Sequence, residues 1–279
     1  MNVVGIGSAG CKISNYLSKY DVYNTFQIDT QDEGYKNFIQ IPAYSGHEEY
    51  ENHYTDIDLG KIDDPTTFIL SGAGSISGII LRLMQQASEA PEINILYIKP
   101  RTSEMSSLQN TRHKICNQVL QQYARSNMIK TMIMIDNEKV ESIISDIELD
   151  NYWEPINMLI AESFHMINVL KNTEPLLKSS NMVPQTAKIS TFSVVDFESN
   201  KEEVLYDLQY PRAKSFYLAL SESFMKDNKS LLRDVRTFVA DQQTEDCDCA
   251  YAIFKTDYQQ NYVYGVHHAS FIQEQNLDL

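Results

Sequence analysis

The chain has few basic residues and no long apolar run, and both shortages exclude classes of protein. Lysine and arginine together number 23 against 38 aspartate and glutamate residues, which gives a formal net charge of −15 at pH 7. A surface of this sign repels phosphodiester backbones and anionic lipids, so we expect no direct nucleic-acid partner and no direct membrane binding. Without a long apolar run or a leader pattern, we expect a soluble cytoplasmic protein.

Cysteine is scarce as well, with only Cys11, Cys116, Cys247 and Cys249 present. In a cytoplasmic protein we expect these side chains to be reduced thiols. One residue separates Cys247 from Cys249, whereas zinc-binding and redox-active pairs usually have two residues between them. The sequence therefore predicts no protein-bound metal centre at this pair.

The N-terminal half alternates short apolar runs with helical patterns, which is typical of a parallel α/β sheet. Strands are predicted over residues 2–5, 24–28, 38–41, 67–70, 93–98 and 131–135. Helices are predicted over residues 9–19, 75–88, 103–126 and 137–147. The polar segment 44–59, which is rich in acidic residues and tyrosine, is predicted to be an exposed loop.

A long helix is predicted over residues 151–170, with apolar positions around much of its circumference, so we expect it to be buried between two domains. After it, strand patterns at 188–195, 250–254 and 261–267 and helical patterns at 213–225 and 231–240 indicate a smaller α/β domain. The predicted fold class is therefore α/β, divided into a parallel-sheet nucleotide-binding domain (1–150), a central core helix (151–171) and a C-terminal domain (172–279).

Two glycine loops, each directly after a predicted strand, are the strongest functional signal. They are Gly5-Ile6-Gly7-Ser8-Ala9-Gly10 and Gly72-Ala73-Gly74-Ser75-Ile76-Ser77-Gly78. In an open parallel sheet, ligands bind at the carboxyl ends of the strands, where both loops fall. Backbone amides of such loops and of helix N-termini bind phosphate groups without basic side chains. Two loops in one sheet could hold one polyphosphate from both sides.

The first loop also fits a dinucleotide-binding fingerprint, with Asp29 at the end of the next strand in position to bind a ribose hydroxyl. This leaves a NAD- or FAD-dependent oxidoreductase as an alternative. That alternative does not explain the second loop or the motifs that follow it.

Further motifs occur in a fixed order along the chain. They are Asp29-Thr30, Lys99-Pro100, Ile135-Asp136-Asn137-Glu138, Trp153 with Asn157 four residues on, Asn172-Thr173-Glu174, and Asn181-Met182-Val183-Pro184. The spacing of Trp153 and Asn157 puts both side chains on one helix face. Taken with the glycine loops, these motifs resemble the tubulin/FtsZ superfamily of GTP-binding filament proteins over residues 1 to 195. The short chain suits a phage or plasmid relative.

The resemblance implies that the chain binds GTP or GDP together with Mg²⁺. The residues it assigns to the nucleotide are Gly7, Ser8, Ala9, Gly10, Cys11, Asp29, Thr30, Gly72, Ala73, Gly74, Ser75, Ile76, Ser77, Lys99, Asn137, Trp153 and Asn157. Asn137 would contact the guanine, Trp153 would stack on it, and Asn157 would bond to its edge. Asp29 or Asp32 could serve as an outer ligand of the metal.

The resemblance also implies head-to-tail assembly into a longitudinal homopolymer, with an adaptor or cargo protein as a possible partner. Asn172 and Glu174 of one subunit would then be the catalytic residues for the nucleotide of the next, which makes the chain a GTPase coupled to polymerisation. Leu177 stands where hydrolysing relatives place a second acid, and Ile76 replaces a glycine. These departures predict slow hydrolysis, and a nucleotide binder that has lost polymerisation is a further alternative.

Overall fold

The computed structural model describes residues 1–53, 57, 59, 62–144, 147–179, 183–197 and 199–273. These residues form two compact units, the first Met1–Glu162 and the second Ser163–Gln273. The two units divide within the long helix that the sequence predicts, so the three-part domain division stays a prediction.

The first unit contains a parallel sheet. Within its described residues the strands are β1 (Asn2–Ile6), β2 (Asn24–Asp29), β3 (Phe38–Gln40), β4 (Thr66–Ser71), β5 (Ile93–Lys99) and β6 (Thr131–Asp136). They lie in the order β3-β2-β1-β4-β5-β6, and every pair is parallel. Because Ile6 of β1 lies opposite Leu70 of β4, the loops after these strands leave the sheet side by side.

The helices of the first unit follow the strands in alternation. They are α1 (Gly7–Leu17), α2 (His47–Asn52), a 3₁₀ turn (Ser75–Ile79), α3 (Ile80–Gln86), α4 (Ser107–Arg125) and α5 (Asn137–Ile143). A further helix, α6 (Trp153–Lys171), begins in this unit and ends in the second. Helix α4 begins four residues later than predicted because Ser106 caps it, with Gln109 completing a reciprocal capping box.

The second unit is built on a mixed sheet. Its strands, within the described residues, are β7 (Leu177–Lys178), β8 (Ile189–Asp196), β9 (Lys201–Val204), β10 (Pro211–Ser221), β11 (Asp248–Thr256) and β12 (Tyr262–Ala269). The order is β8-β12-β10-β11-β7, with β9 paired to β8, and only β10 and β11 run parallel. Helices α7 (Glu222–Asp227) and α8 (Leu231–Gln242) complete the unit, and Phe238 of α8 packs edge-to-face on Phe216.

The helix predicted over 213–225 is wrong, because most of this segment is strand β10. Phe216, Leu218 and Leu220 alternate along it and are fully buried, as is Ala219 on the other face. The same apolar positions also satisfy a helical spacing, so the sequence pattern is ambiguous. Pairing with β12 on one side and β11 on the other decides in favour of a strand.

The segment predicted as an exposed loop over 44–59 contains a helix instead. Tyr50 of α2 is buried, and its hydroxyl accepts a hydrogen bond from the backbone amide of Tyr44 at 3.1 Å. Acidic residues outnumber apolar ones in this short helix, so the sequence pattern predicted an exposed loop. Residues 54–56 and 58 of this segment, and residues 145–146 at the end of a predicted helix, lie outside the described residues.

Within the described part of the chain, none of the helices combines the length and the apolar character that crossing a bilayer requires.

Candidate functional site

The first glycine loop is fixed by steric contact. A Cβ on Gly10 would collide with the backbone carbonyl oxygen of Ile69 in β4, and a Cβ on Gly5 would collide with the carbonyl oxygen of Gly10. Gly7 has a φ of +69°, a conformation that other residues rarely adopt. The three glycines therefore let the backbone turn tightly from β1 into α1.

The start of α1 is open to an anion. No side chain in the described part of the chain caps this helix, and its first turn carries no acidic residue. The amides of Ser8, Ala9 and Gly10 belong to the first turn of α1, where a helix has no acceptor of its own for them. The helix dipole adds partial positive charge at the same place.

The second glycine loop lies against the first. A Cβ on Gly7 would lie 3.0 Å from Cγ2 of Ile76, so the two loops are in contact. Gly72 lacks a side chain where the hydroxyl of Tyr97 fills the space. The hydroxyl of Ser75 donates to the carbonyl oxygen of Tyr44 at 3.3 Å. The structure therefore brings the two predicted phosphate loops together. In the second loop, Ala73 and Gly74 lie between Gly72 and Ser75, which are both held by the contacts described above.

Asp29 and Thr30 lie at the end of β2, beside the first loop. The carboxylate Oδ1 of Asp29 accepts from the backbone amide of Thr30 at 2.7 Å. The thiol of Cys11 is buried and donates to the carbonyl oxygen of Ile28 at 3.4 Å. Burial and then the charge of Asp29 raise the pKa of Cys11, so its side chain stays a neutral thiol in the core.

Lys99 and Asn137 lie at the ends of β5 and β6. The ammonium group of Lys99 is 2.6 Å from Oδ2 of Asp136, whose Oδ1 caps α5 by accepting from the amide of Glu138. The Oδ1 atom of Asn137 is buried and has no hydrogen-bond partner within the described part of the chain. A buried oxygen without a donor is costly, so this atom is suited to receive an N–H group from a ligand.

A cleft of about 610 Å³ lies beside the start of α6. Its lining comprises Lys12, Asn15, Tyr16, Tyr35, Leu149, Asp150, Asn151, Tyr152, Trp153 and Glu154. The indole of Trp153 is 47% exposed and meets the ring of Tyr152 edge-to-face, with the centroids 4.9 Å apart. Asn157 lies one helical turn further on and is buried.

Of the residues that line this cleft, sequence reasoning assigned only Trp153 to the site and missed the others, among them Asn15, Tyr16 and Tyr35. One signal was available, because Lys12, Asn15 and Tyr16 stand three and four residues apart and so share one face of α1. The contribution of Tyr35 carried no such signal, since it depends on the path of the loop after β2.

In the second unit, Asn172 and Glu174 lie just after α6. The side-chain amide of Asn172 donates to the carbonyl oxygen of Asn168 at 2.8 Å. The Glu174 side chain is 90% exposed, with Oε1 4.0 Å from the ammonium group of Lys178. Leu176 is exposed beside them. Of the predicted motif 181–184, residues 181 and 182 lie outside the described residues.

Comparisons with known proteins identify the fold. No family model and no curated protein matches the sequence. Solved structures match over nearly the whole chain. A helical model of the TubZ-Bt four-stranded filament has a TM-score of 0.72 at 12% identity, covering 98% of this chain and 86% of that one. TubZ of Bacillus thuringiensis serovar israelensis in a GTPγS-form protofilament has a TM-score of 0.68 at 12% identity, covering 96% and 86%.

An FtsZ dimer of M. jannaschii has a TM-score of 0.68 at 13% identity, covering 100% of this chain and 93% of that one. At these identities the similarity establishes the fold. The chain has the tubulin/FtsZ fold, and the fold predicted from the ordered motifs is confirmed.

Proposed function

We propose that this chain binds GTP or GDP across its two glycine loops and assembles head-to-tail into filaments. The observation that carries the proposal is the contact between the two loops at the carboxyl ends of β1 and β4, where Gly7 approaches Ile76. A dinucleotide site needs only the first loop. Two adjoining loops suit a run of phosphates, and the similarity to TubZ and FtsZ structures supports this choice.

The phosphates would be neutralised locally in a chain whose net charge is −15. The amides of Ser8, Ala9 and Gly10 would receive them from one side and the amides of the second loop from the other. Lys99 is already paired with Asp136 and adds little free charge. Bound Mg²⁺ would take most of its ligands from phosphate oxygens and water, with Asp29 or Asp32 as an outer ligand.

The base would lie in the cleft beside α6. Guanine carries N–H donors on one edge, including its 2-amino group, and the buried Oδ1 of Asn137 is an acceptor without a donor among the described residues. The exposed indole of Trp153 offers a face for stacking, and Asn157 lies on the same side of α6. These features favour guanine as the base.

Hydrolysis would require a second copy of the chain. Asn172 and Glu174 lie on an exposed loop, so they are free to approach the nucleotide of a neighbouring copy, where the carboxylate would polarise the attacking water. Leu177 supplies no second acid, so we propose slow turnover. The filament models of TubZ support self-assembly as the biological context.

The proposal is tested with tryptophan fluorescence, because Trp153 is the only tryptophan in the chain. GTP and GDP should quench this signal on stacking, and NAD should leave it unchanged. Trp153→Leu has no tryptophan, so its affinity is measured by competition against a fluorescent GTP analogue. It should bind GTP about tenfold more weakly, since base–aromatic stacking is worth roughly 1–3 kcal/mol. Leu149→Ala, which alters the same cleft without removing a ring, is the control and should change the affinity less than twofold.

Assembly is tested by sedimentation with GTP, GDP or no nucleotide, alongside phosphate release. Pelleting that depends on GTP supports the filament proposal. Tight GTP binding without pelleting would leave a nucleotide-binding protein that does not polymerise. Unchanged fluorescence at saturating GTP, together with unchanged thermal stability, would contradict the proposed function.

A further inference from the structure

The hydroxyl of Ser77 faces inward, under the second glycine loop. This side chain is buried, and its Oγ lies 2.7 Å from the carbonyl oxygen of Gly74 and 3.2 Å from that of Gly72. A third neighbour is Nε2 of His47, at 2.9 Å. Ser77 therefore binds the loop's own backbone, whereas the family resemblance assigns this residue to the nucleotide.

His47 joins this arrangement from a different element. It is the first residue of α2, and its Nε2 also lies 3.1 Å from the carbonyl oxygen of Gly74. The single proton of Ser77 is shared between the Gly74 oxygen, its shortest contact, and the Gly72 oxygen. Nε2 of His47 then acts as the donor toward Ser77 and Gly74.

Two contacts hold α2 in place for this role. Gly78 leaves the space in which the backbone of His47 packs, since a Cβ there would collide with the His47 carbonyl oxygen. On the other side, the guanidinium of Arg112 in α4 donates to the carbonyl oxygen of Ser45. The backbone is thus held at Ser45 and at His47, on both sides of the turn that precedes α2, and this fixes the position from which the His47 side chain extends.

Fixing these carbonyl oxygens also fixes the amides that follow them. In a trans peptide the C=O and the next N–H point in opposite directions. With the oxygens of Gly72 and Gly74 bound by Ser77 and His47, the amides of Ala73 and Ser75 are turned away from that side. The backbone amide of Ser77 also donates to the Gly74 oxygen at 3.2 Å, and the side-chain bonds add to it in holding one orientation of the peptide planes.

We infer that Ser77 and His47 form a clamp that turns the amides of the second loop toward the phosphates, so that both are positioning residues for nucleotide binding. The inference rests on the proposed function, because it assumes that phosphates occupy this side of the loop. Neither side chain touches the ligand.

The inference is tested by competition binding against a fluorescent GTP analogue. His47→Leu should weaken GTP and GDP binding about tenfold, as expected for loss of roughly 1–1.5 kcal/mol of hydrogen bonding. His47→Gln should recover most of the affinity, because its side-chain amide can donate to the same oxygens. Guanosine, which has no phosphate, should bind His47→Leu and the wild type equally, a result that a general loss of structure would not give.

Ser77→Ala tests the same inference independently, by removing the other side chain of the clamp. It should reproduce the loss of His47→Leu, and the double variant should bind no worse than either single one, because the two residues act through the same carbonyl oxygens. His53→Leu is the matched control, since His53 follows the same helix and, among the described residues, its ring bonds to the backbone of Glu49 and stacks on Tyr44.

The possible outcomes distinguish a failure of the proposed function from a failure of this inference alone. A wild type that binds no guanine nucleotide overturns the proposed function, and this inference with it. A wild type that binds GTP while His47→Leu and Ser77→Ala bind equally well overturns the inference alone. Equal losses for guanosine and GTP would also overturn it.

Discussion

The two glycine loops follow neighbouring strands of one sheet, yet different interactions hold their backbones in place. The first depends on close backbone packing, in which Gly10 lies directly against the carbonyl oxygen of Ile69. The second depends on side chains that bind its carbonyl oxygens, chiefly Ser77 and His47. The first loop should therefore tolerate loss of a nearby hydroxyl but not an added methyl group. At Gly74 the second should show the reverse, whereas Gly72 and Gly78 at its ends are as closely packed as Gly10.

The difference extends to the residues behind each loop. Tyr97 fills the space at Gly72, and its hydroxyl lies 2.7 Å from Nδ1 of His113. The second loop thus packs against a tyrosine whose hydrogen-bond partner is a titratable histidine. Behind the first loop, the Oγ of Ser14 donates to the carbonyl oxygen of Cys11 and accepts from Gln27, and none of these groups titrates near neutral pH.

Gly10→Ala should have the largest effect. Its new Cβ would collide with a backbone atom of β4, which cannot move without disturbing the sheet. We expect a loss of about 3 kcal/mol in the free energy of unfolding, at the upper end for overpacked sites, and no measurable GTP binding. Urea unfolding measures the first effect and fluorescence titration the second.

Gly74→Ala is the control from the other loop. A Cβ there would meet only Cγ2 of Ile76 at 3.7 Å, an ordinary contact, and the φ of Gly74 is −72°. Its unfolding free energy should change by less than about 0.5 kcal/mol. Equal losses in the two variants would contradict the claim that close packing fixes the backbone at Gly10 but not at Gly74.

The second loop should make stability depend on pH through His113. Burial, followed by the charges of Lys99 and Lys114, lowers the pKa of His113 to about 4, from an ordinary value near 6.5. The unfolded chain binds this proton more readily, so stability is lost as the pH falls from 6.5 toward 4. Between pH 7 and pH 5 the loss attributable to this group should be about 2 kcal/mol.

His113→Gln should remove that part of the pH dependence while keeping a polar group beside Tyr97. His268 in the second unit provides the comparison, because burial lowers its pKa to about 3 and its contribution should persist in the variant. Urea unfolding at pH 7 and pH 5 measures both. An unchanged pH dependence in His113→Gln would exclude His113 as its source.

The parallel sheet and the meeting of the two loops could be predicted because each signal is local. Each strand before a loop is a short apolar run, and the glycines follow at once. The order of the later motifs then identified the fold, although identity to the matched structures is only 12–13%.

What the sequence could not provide are contacts between distant segments. Strand β10 fitted a helical spacing, and only pairing with β11 and β12 decides it. His47 stood in a segment predicted as a loop, so its contact with Ser77 could not be predicted. Tyr35 joins the cleft through the path of a loop. In each case the partner lies far away in sequence.

Ser14→Ala should have the smallest effect on nucleotide binding among the hydroxyl variants and completes the comparison with Ser77→Ala. Both variants remove one buried hydroxyl next to a glycine loop. Loss of the Ser14 Oγ leaves the buried amide of Gln27 without this acceptor, so the unfolding free energy should fall by about 1 kcal/mol. GTP affinity should stay within twofold of the wild type, because packing still holds Gly5 and Gly10. A tenfold loss of affinity, equal to that expected for Ser77→Ala, would mean that both loops depend on hydroxyl groups in the same way.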